Sequence, residues 1–168
     1  MSQENVFNQE ATEKLKTLVD KIDVCMFCSA IDNGELYSVP MSRQEIDDNG
    51  AIWFLLSAES ETCRNVMKDP RVQLLYAHVG DYNFVTVKGK ATISWDKERI
   101  EKYWNKFVEA WFEKGKEDPN IRVMKVDTED AHYWDTKSNK FVTFIKLAAS
   151  ALTGNKMDPG RQGDIVIP

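Results

Sequence analysis

Few side chains in this sequence have the types and spacing for chemistry. Cys25 and Cys28 form a Cys-x-x-Cys pair, Cys63 stands alone, and the two histidines, His78 and His132, are far apart. A Cys-x-x-Cys can be a redox dithiol or half of a zinc site, but this one falls inside the apolar run Val24 to Ile31, which reads as a strand. Strand side chains alternate between faces, so positions three apart point opposite ways and neither close on one metal nor easily form a disulfide. The sequence holds no second Cys-x-x-Cys to complete a zinc site. Packed, reduced thiols are therefore the expectation for Cys25 and Cys28, and also for Cys63, which has no neighbouring His or Lys. Neither histidine belongs to a ligand-spaced cluster such as His-Glu-x-x-His, and Gly-x-Ser-x-Gly, Gly-x-Gly-x-x-Gly and P-loop patterns are absent. Hydrolase, Rossmann-type and nucleotide-triphosphate readings are unsupported.

The stretch Trp53-Phe54-Leu55-Leu56-Ser57-Ala58-Glu59-Ser60 is more informative, because it reads as a strand running through a short polar turn into a helix. Free backbone amides and Ser hydroxyls at such a helix start suit an anion, a phosphate in particular, while the same Ser60 is also an ordinary helix cap. A second feature is the aromatic content, 18 residues with five Trp among them. Trp104, Phe107 and Trp111 recur at helical spacing, the pattern of a core or dimer face, or of an indole edging a flat ligand.

The elements that position these residues follow from periodicity. Residues 9–22, with Leu15, Leu18, Val19 and Ile22, read as a surface helix with one buried stripe. Val24 to Ile31 and Glu35 to Ser42 flank Asp32-Asn33-Gly34 as a hairpin, and Pro40 sets its second strand near an edge or a bulge. Asp47-Asp48-Asn49-Gly50 turns into a buried strand over 51–57. Ser60 caps a helix over 61–68, which Asp69-Pro70 stops. Strands follow over 72–79 and 83–95, the second with Val85, Val87, Ala91, Ile93 and Trp95 on one face. A long aromatic helix is expected over 96–114, an extended segment over 121–134, a turn at 136–139, a strand over 140–146 and a short helix over 147–152. Residues 154–168 show no periodicity and are expected to be a tail following a single domain, 1–153. About seven strands in hairpin-like order with interspersed helices predict an α+β fold, an antiparallel β-barrel with flanking helices.

At 168 residues the chain has the length of one domain, and 42% apolar with 29% charged residues is a globular mixture. No uncharged stretch approaches the ~20 residues of a membrane-spanning helix. The opening Met-Ser-Gln-Glu-Asn carries no secretory pattern, so a cytoplasmic location is expected. The 22 basic against 27 acidic residues, a net charge of −5, argue against nucleic acid as partner.

Taken together, Val39-Pro40-Met41, Ile52-Trp53-Phe54 entering the Ser57–Ser60 turn, Asp69-Pro70-Arg71-Val72, Tyr103-Trp104, Ala110-Trp111-Phe112 and Tyr133-Trp134-Asp135 form an ordered set. In this order the chain resembles the FMN-binding split-barrel proteins related to pyridoxamine 5'-phosphate oxidase, the general stress protein 26 type above all, from about residue 9 to about residue 155. The resemblance implies a homodimer of split barrels with FMN at the interface and flavin redox chemistry on a small substrate. It implies that backbone at Val39, Pro40 and Met41 lies along the flavin. The turn from Leu55 and Leu56 through Ser57 and Ser60 to Thr62 would approach the phosphate, with Arg64 nearby and Trp111 or Trp134 near the ring. The family's customary Arg is Val39 here, its frequent Thr is Leu56, and its basic residue at Glu61 or Thr62 is missing. The tail offers only Arg161 and no His for a second phosphate site, which argues against pyridoxamine phosphate oxidation. The alternative the departures favour is a non-catalytic ligand-binding stress protein, holding another flat ligand such as haem. No catalytic acid or base is identified.

Overall fold

The structure, a computed structural model, describes residues 2–3, 6–31, 36–136 and 160–166. The turn expected at 32–34 and the turn, strand and helix expected within 137–152 lie outside the described residues. Two short strands, β1 (Ser2–Gln3) and β2 (Val6–Phe7), precede helix α1 (Asn8–Val19). Then come β3 (Val24–Ser29), β4 (Tyr37–Ile46), β5 (Ile52–Ser57), helix α2 (Glu61–Lys68), β6 (Arg71–His78) and β7 (Asn83–Ser94). Helices α3 (Lys97–Tyr103) and α4 (Lys106–Glu109), a 3-10 turn, β8 (Ile121–Thr136) and β9 (Gly160–Val166) complete the order.

Neighbouring strands run β8-β5-β4-β3-β6-β7, and β7 pairs back onto β8, so six antiparallel strands close into a barrel. Closure removes the open edges that a sheet of this size would otherwise expose. β9 adds to β8 outside the ring, with β1 and β2 parallel to it. Residues 160–166, read as aperiodic from sequence, thus form a strand; its Gly, Arg, Gln and Asp carry no strand preference, and pairing with β8 supplies the order.

Alternation along β5 explains how one apolar run serves two cores. Ile52, Phe54 and Leu56 point into the barrel, where Phe27 meets Phe54 edge-on at 5.6 Å. Trp53 and Leu55 point outward into a second cluster with Ile100, Tyr103, Val108, Phe112, Ile121 and Val123. Both faces are covered, and the segment reads as continuously hydrophobic for that reason. α1 packs Ala11, Leu15, Leu18 and Val19 against the barrel core, and α2 adds Cys63 and Val66.

The long aromatic helix expected over 96–114 is two short helices. Asn105 ends the first, because its side-chain oxygen accepts from the backbone N–H of Phe107 (2.9 Å) and Val108 (3.0 Å) and so caps α4. The stripe divides with the helix. Ile100, Tyr103, Val108 and Phe112 are buried, whereas Phe107 and Trp111 are 63% and 74% exposed. Trp95 is also exposed, beyond the end of β7.

A polar clasp holds α3 to the barrel. Glu45 on β4 accepts from Lys102 (2.7 Å) and from the Tyr103 hydroxyl, to which Arg99 also donates (2.7 Å). The Arg99 guanidinium lies 3.5 Å from the centroid of Trp53, whose indole N–H donates to Asp47 at 2.9 Å. The hydrogen bonds from Lys102 and Tyr103 lower the Glu45 pKa, so its stabilisation is present above the unfolded value near ~4.3 and is lost as pH falls through the depressed folded value. Glu45→Gln is therefore expected to lower Tm by a few degrees at pH 7, on the order of 1 kcal/mol. The difference from the parent protein should begin to shrink as pH falls below ~4.3 and close once pH has passed the depressed folded value. Melting curves across pH check this, and a gap that persists unchanged into acid contradicts it.

Candidate ligand cleft

β4 pairs with β5 only from Arg43 onward, and the register shifts between Arg43 and Glu45. Before that point β4 has β3 as its neighbour, with Pro40 opposite Met26. Pro40, which has no N–H to give, thus sits on a locally single-sided stretch of strand, where its missing donor costs no ladder bond to β5. The two strands part there, and a cleft of about 510 Å³ opens between them.

Val39, Pro40 and Met41 form one wall and Leu55, Leu56 and Ser57 the other. Ser60 and Thr62 close one end at the start of α2, and Phe107 and Trp111 form a rim. Nine of the eleven residues that the resemblance places at the site therefore meet in one cavity, although they come from separate parts of the chain; Arg64 and Trp134 are not in its lining. Tyr37, Ser42, Gln44, Val24, Val108 and Phe112 also line it and were not foreseen. For Tyr37, Ser42 and Gln44 strand alternation offered no signal, because β4 lines the cavity with successive residues; Val24, Val108 and Phe112 reach it from β3 and the α4 region. The lining is largely apolar, the general character of sites for flat organic ligands.

The two serine hydroxyls at the polar end of the cleft are already engaged from within. The Ser60 hydroxyl donates to the Ser57 carbonyl (2.7 Å) and accepts from the Cys63 N–H (3.1 Å), and the Ser57 hydroxyl accepts from the Glu59 N–H (3.2 Å). Arg64 does not line the cavity; it donates twice to the Glu61 carboxylate (3.0 and 2.7 Å) and once to the Glu59 carbonyl (2.6 Å). Arg122 lies within electrostatic reach of Cys63, but its guanidinium donates to the carbonyls of Pro119 and Ile121, both at 2.7 Å. The cleft lining contains no Lys, Arg, His, Asp or Glu among the described residues. An apolar ring fits this donor set, and a phosphate does not.

Trp134 lies elsewhere. It sits on β8 edge-on to His132, ring centroids 4.5 Å apart, and His132 Nδ1 is 2.6 Å from a carboxylate oxygen of Asp164 on β9. Tyr133, the intervening residue, points into the barrel core, so Trp134 faces outward by alternation.

The cysteines are packed. Cys25, Cys28 and Cys63 are buried and free. Burial pushes the Cys25 thiol up to about 12, and also raises Cys63. Such thiols are poor nucleophiles and poor ligands at neutral pH. Among the described residues no cluster of three or more His, Cys, Asp or Glu is arranged to hold a metal ion.

A closed six-stranded antiparallel barrel with flanking helices, parted between two strands over a cleft, is a split barrel. The chain belongs to the pyridoxamine 5'-phosphate oxidase-like family, which it matches over residues 10–158. Among solved structures, a candidate general stress protein 26 from Jannaschia sp. CCS1 superposes with a TM-score of 0.74 at 24% identity, over 93% of this chain and 97% of that one. The general stress FMN/FAD binding protein from Xanthomonas citri gives a TM-score of 0.65 at 26% identity, over 79% of this chain and 93% of that one. Protein bli-3 of Neurospora crassa is 25% identical over 130 residues, 72% of this chain, and the match spans 62% of that protein's length.

Proposed function

We propose that this protein is a homodimeric flavin-binding split barrel that seats an isoalloxazine ring in the cleft between β4 and β5, with redox chemistry on a small substrate as its activity. The single observation that carries the proposal is the convergence of Val39–Met41 and Leu55–Ser57 on one largely apolar cavity in a chain of the pyridoxamine 5'-phosphate oxidase-like family. A bound flavin would supply hydride or electron transfer. The protein's part is to hold the ring, orient it and keep water from it. Val39, Pro40, Met41, Leu55 and Leu56 give that ring its apolar walls, and Trp111 gives an aromatic rim.

The dimer is supported by exposed apolar surface continuous with the cleft. Met26 lies between Pro40 and Leu75 across β4, β3 and β6, and Val24, Met26 and Leu75 are 48%, 41% and 37% exposed. A second copy covering this face removes it from water, and a second copy is also the way an outward-facing Trp134 reaches a ring in the cleft. The buried free thiols favour a reducing compartment such as the cytoplasm.

Titration with FMN and riboflavin, read by quenching of flavin fluorescence, tests the reading. Saturable binding of a flavin is expected, and failure of both to bind at high micromolar concentration overturns it. Reduction of the bound flavin by NADH or NADPH supports the enzyme. The absence of any charged side chain from the lining among the described residues favours the second reading, a binding protein without turnover, because none of these residues is a carboxylate, His or Lys ready to move a proton. A stable 19.3 kDa monomer by light scattering contradicts the dimer.

Trp111→Ala is expected to weaken flavin binding roughly tenfold, in line with the ~0.5–1.5 kcal/mol an aromatic contact adds beyond the area it covers. Because Trp111 is mostly exposed, Tm should move by less than about 2 °C. An affinity unchanged by the substitution removes Trp111 from the site.

A further inference from the structure

We infer that the cleft recognises the uncharged ring system of its ligand and gains almost nothing from a terminal phosphate, so that a dephosphorylated flavin is bound as well as FMN. The inference deepens the proposed flavin reading and rests on it. Three observations at the start of α2 carry it.

The first is the occupation of the two serine hydroxyls. Ser60 Oγ both donates and accepts within the turn, to the Ser57 carbonyl and from the Cys63 N–H, and Ser57 Oγ accepts from the Glu59 N–H. To donate to a phosphate, Ser60 would first give up its bond to the Ser57 carbonyl. Making one hydrogen bond by breaking another yields little net binding.

The second is the placement of charge. A phosphate monoester carries a charge of about −1.5 to −2 at neutral pH and needs charge-assisted partners to offset its desolvation. No cation lines the cavity among the described residues. Of the two guanidiniums near the start of α2, Arg64 donates through two nitrogens to one carboxylate oxygen of Glu61 and through a third to the Glu59 carbonyl. Arg122 donates to two backbone carbonyls of its own loop and strand.

The third is the sign of what remains. Glu61 occupies the first turn of α2, with its carboxylate on the helix end where the dipole would otherwise favour an anion. That carboxylate is paired with Arg64, so the two together bring no net positive charge to the helix start, and the neighbouring Glu59 adds a negative one. By contrast, the other end of the cavity keeps apolar walls and an aromatic rim, and a ring loses nothing by entering it.

The test is a paired titration with FMN and riboflavin at 50 and 500 mM salt. The expected result is a Kd for FMN within about tenfold of that for riboflavin, with neither shifting more than about threefold with salt. FMN binding more than tenfold tighter than riboflavin, or steeply weakened by salt, overturns the inference and leaves the flavin reading standing. Binding of neither ligand overturns the flavin reading, and this inference with it. Glu61→Lys makes the phosphate end measurable, because it places a cation at the helix start and releases Arg64 from its carboxylate. In that variant FMN should tighten at least tenfold while riboflavin is unchanged; an equal change for both ligands contradicts the assignment of the phosphate end to the start of α2. Because Glu61 is exposed at the surface, with a side chain 44% accessible, the substitution leaves the barrel core untouched.

Discussion

Gly89→Ala is expected to cost at least ~3 kcal/mol and to leave the chain poorly soluble, because this position is where the barrel closes. A Cβ at Gly89 would sit 2.3 Å from the Asp127 carbonyl oxygen and 3.0 Å from a methyl carbon of Val126. Backbone cannot swing aside as a flexible side chain can. β7 and β8 run in register up to Lys88 opposite Asp130, then shift so that Gly89 faces Thr128, leaving Glu129 as the extra residue of a bulge. The bulge bends β8 toward β7 and brings its backbone into the space that any side chain at 89 would need. A useful contrast is Gly115, where a Cβ meets open space but φ is +66°. There Ala pays only for the left-handed backbone, about 1–2 kcal/mol. Chemical denaturation of the two variants separates the mechanisms: Gly89→Ala should fail first and by the larger margin. Equal stability of Gly89→Ala and the parent protein contradicts the close approach at the seam.

Phe54→Ala should lower stability by about 3–5 kcal/mol, the usual cost of deleting a fully buried aromatic ring. Phe54 has no solvent exposure, meets Phe27 edge-on at 5.6 Å across the barrel, and faces Arg43 at the first pair where β4 joins β5. Its loss therefore leaves a cavity at the base of the split as well as in the core. For a domain of this size the expected fall in Tm is on the order of 10 °C. Leu55 and Leu56, the next residues along, line the cleft, so flavin affinity should fall along with Tm. A loss of stability with unaltered affinity would show that the cleft wall is held independently of the core.

Much of the fold was legible because local physics and tertiary structure agree. The helix over 61–68 is found where Ser60 and Asp69-Pro70 place its ends, since a cap and a proline act within a few residues of chain. β7 alternates over most of its length as read, buried at Val85, Val87 and Ala91. Packed cysteines follow from strand geometry. The break in the aromatic helix was missed because Asn105 competes with a strong apolar period, and a single capping side chain decided the outcome. β9 was missed because its pairing partner lies about thirty residues away and only Ile165 and Val166, at its end, carry a strand preference.

For the candidate site, the sequence by itself determined which residue types are present: an apolar Val39-Pro40-Met41, hydroxyls at Ser57, Ser60 and Thr62, and acid at Glu61. Tertiary structure alone decided which of them meet. Val39 and Leu56 share a cavity because β4 parts from β5 above Arg43, while Trp134 is turned to the outer face beside His132. It alone also shows that Arg64, a cation in a suitable place along the chain, is bound by Glu61 and does not line the cavity. Side-chain charge is a local property, readable from composition; its availability to a ligand depends on which neighbour reaches it first, and that is set by the packing of the whole barrel.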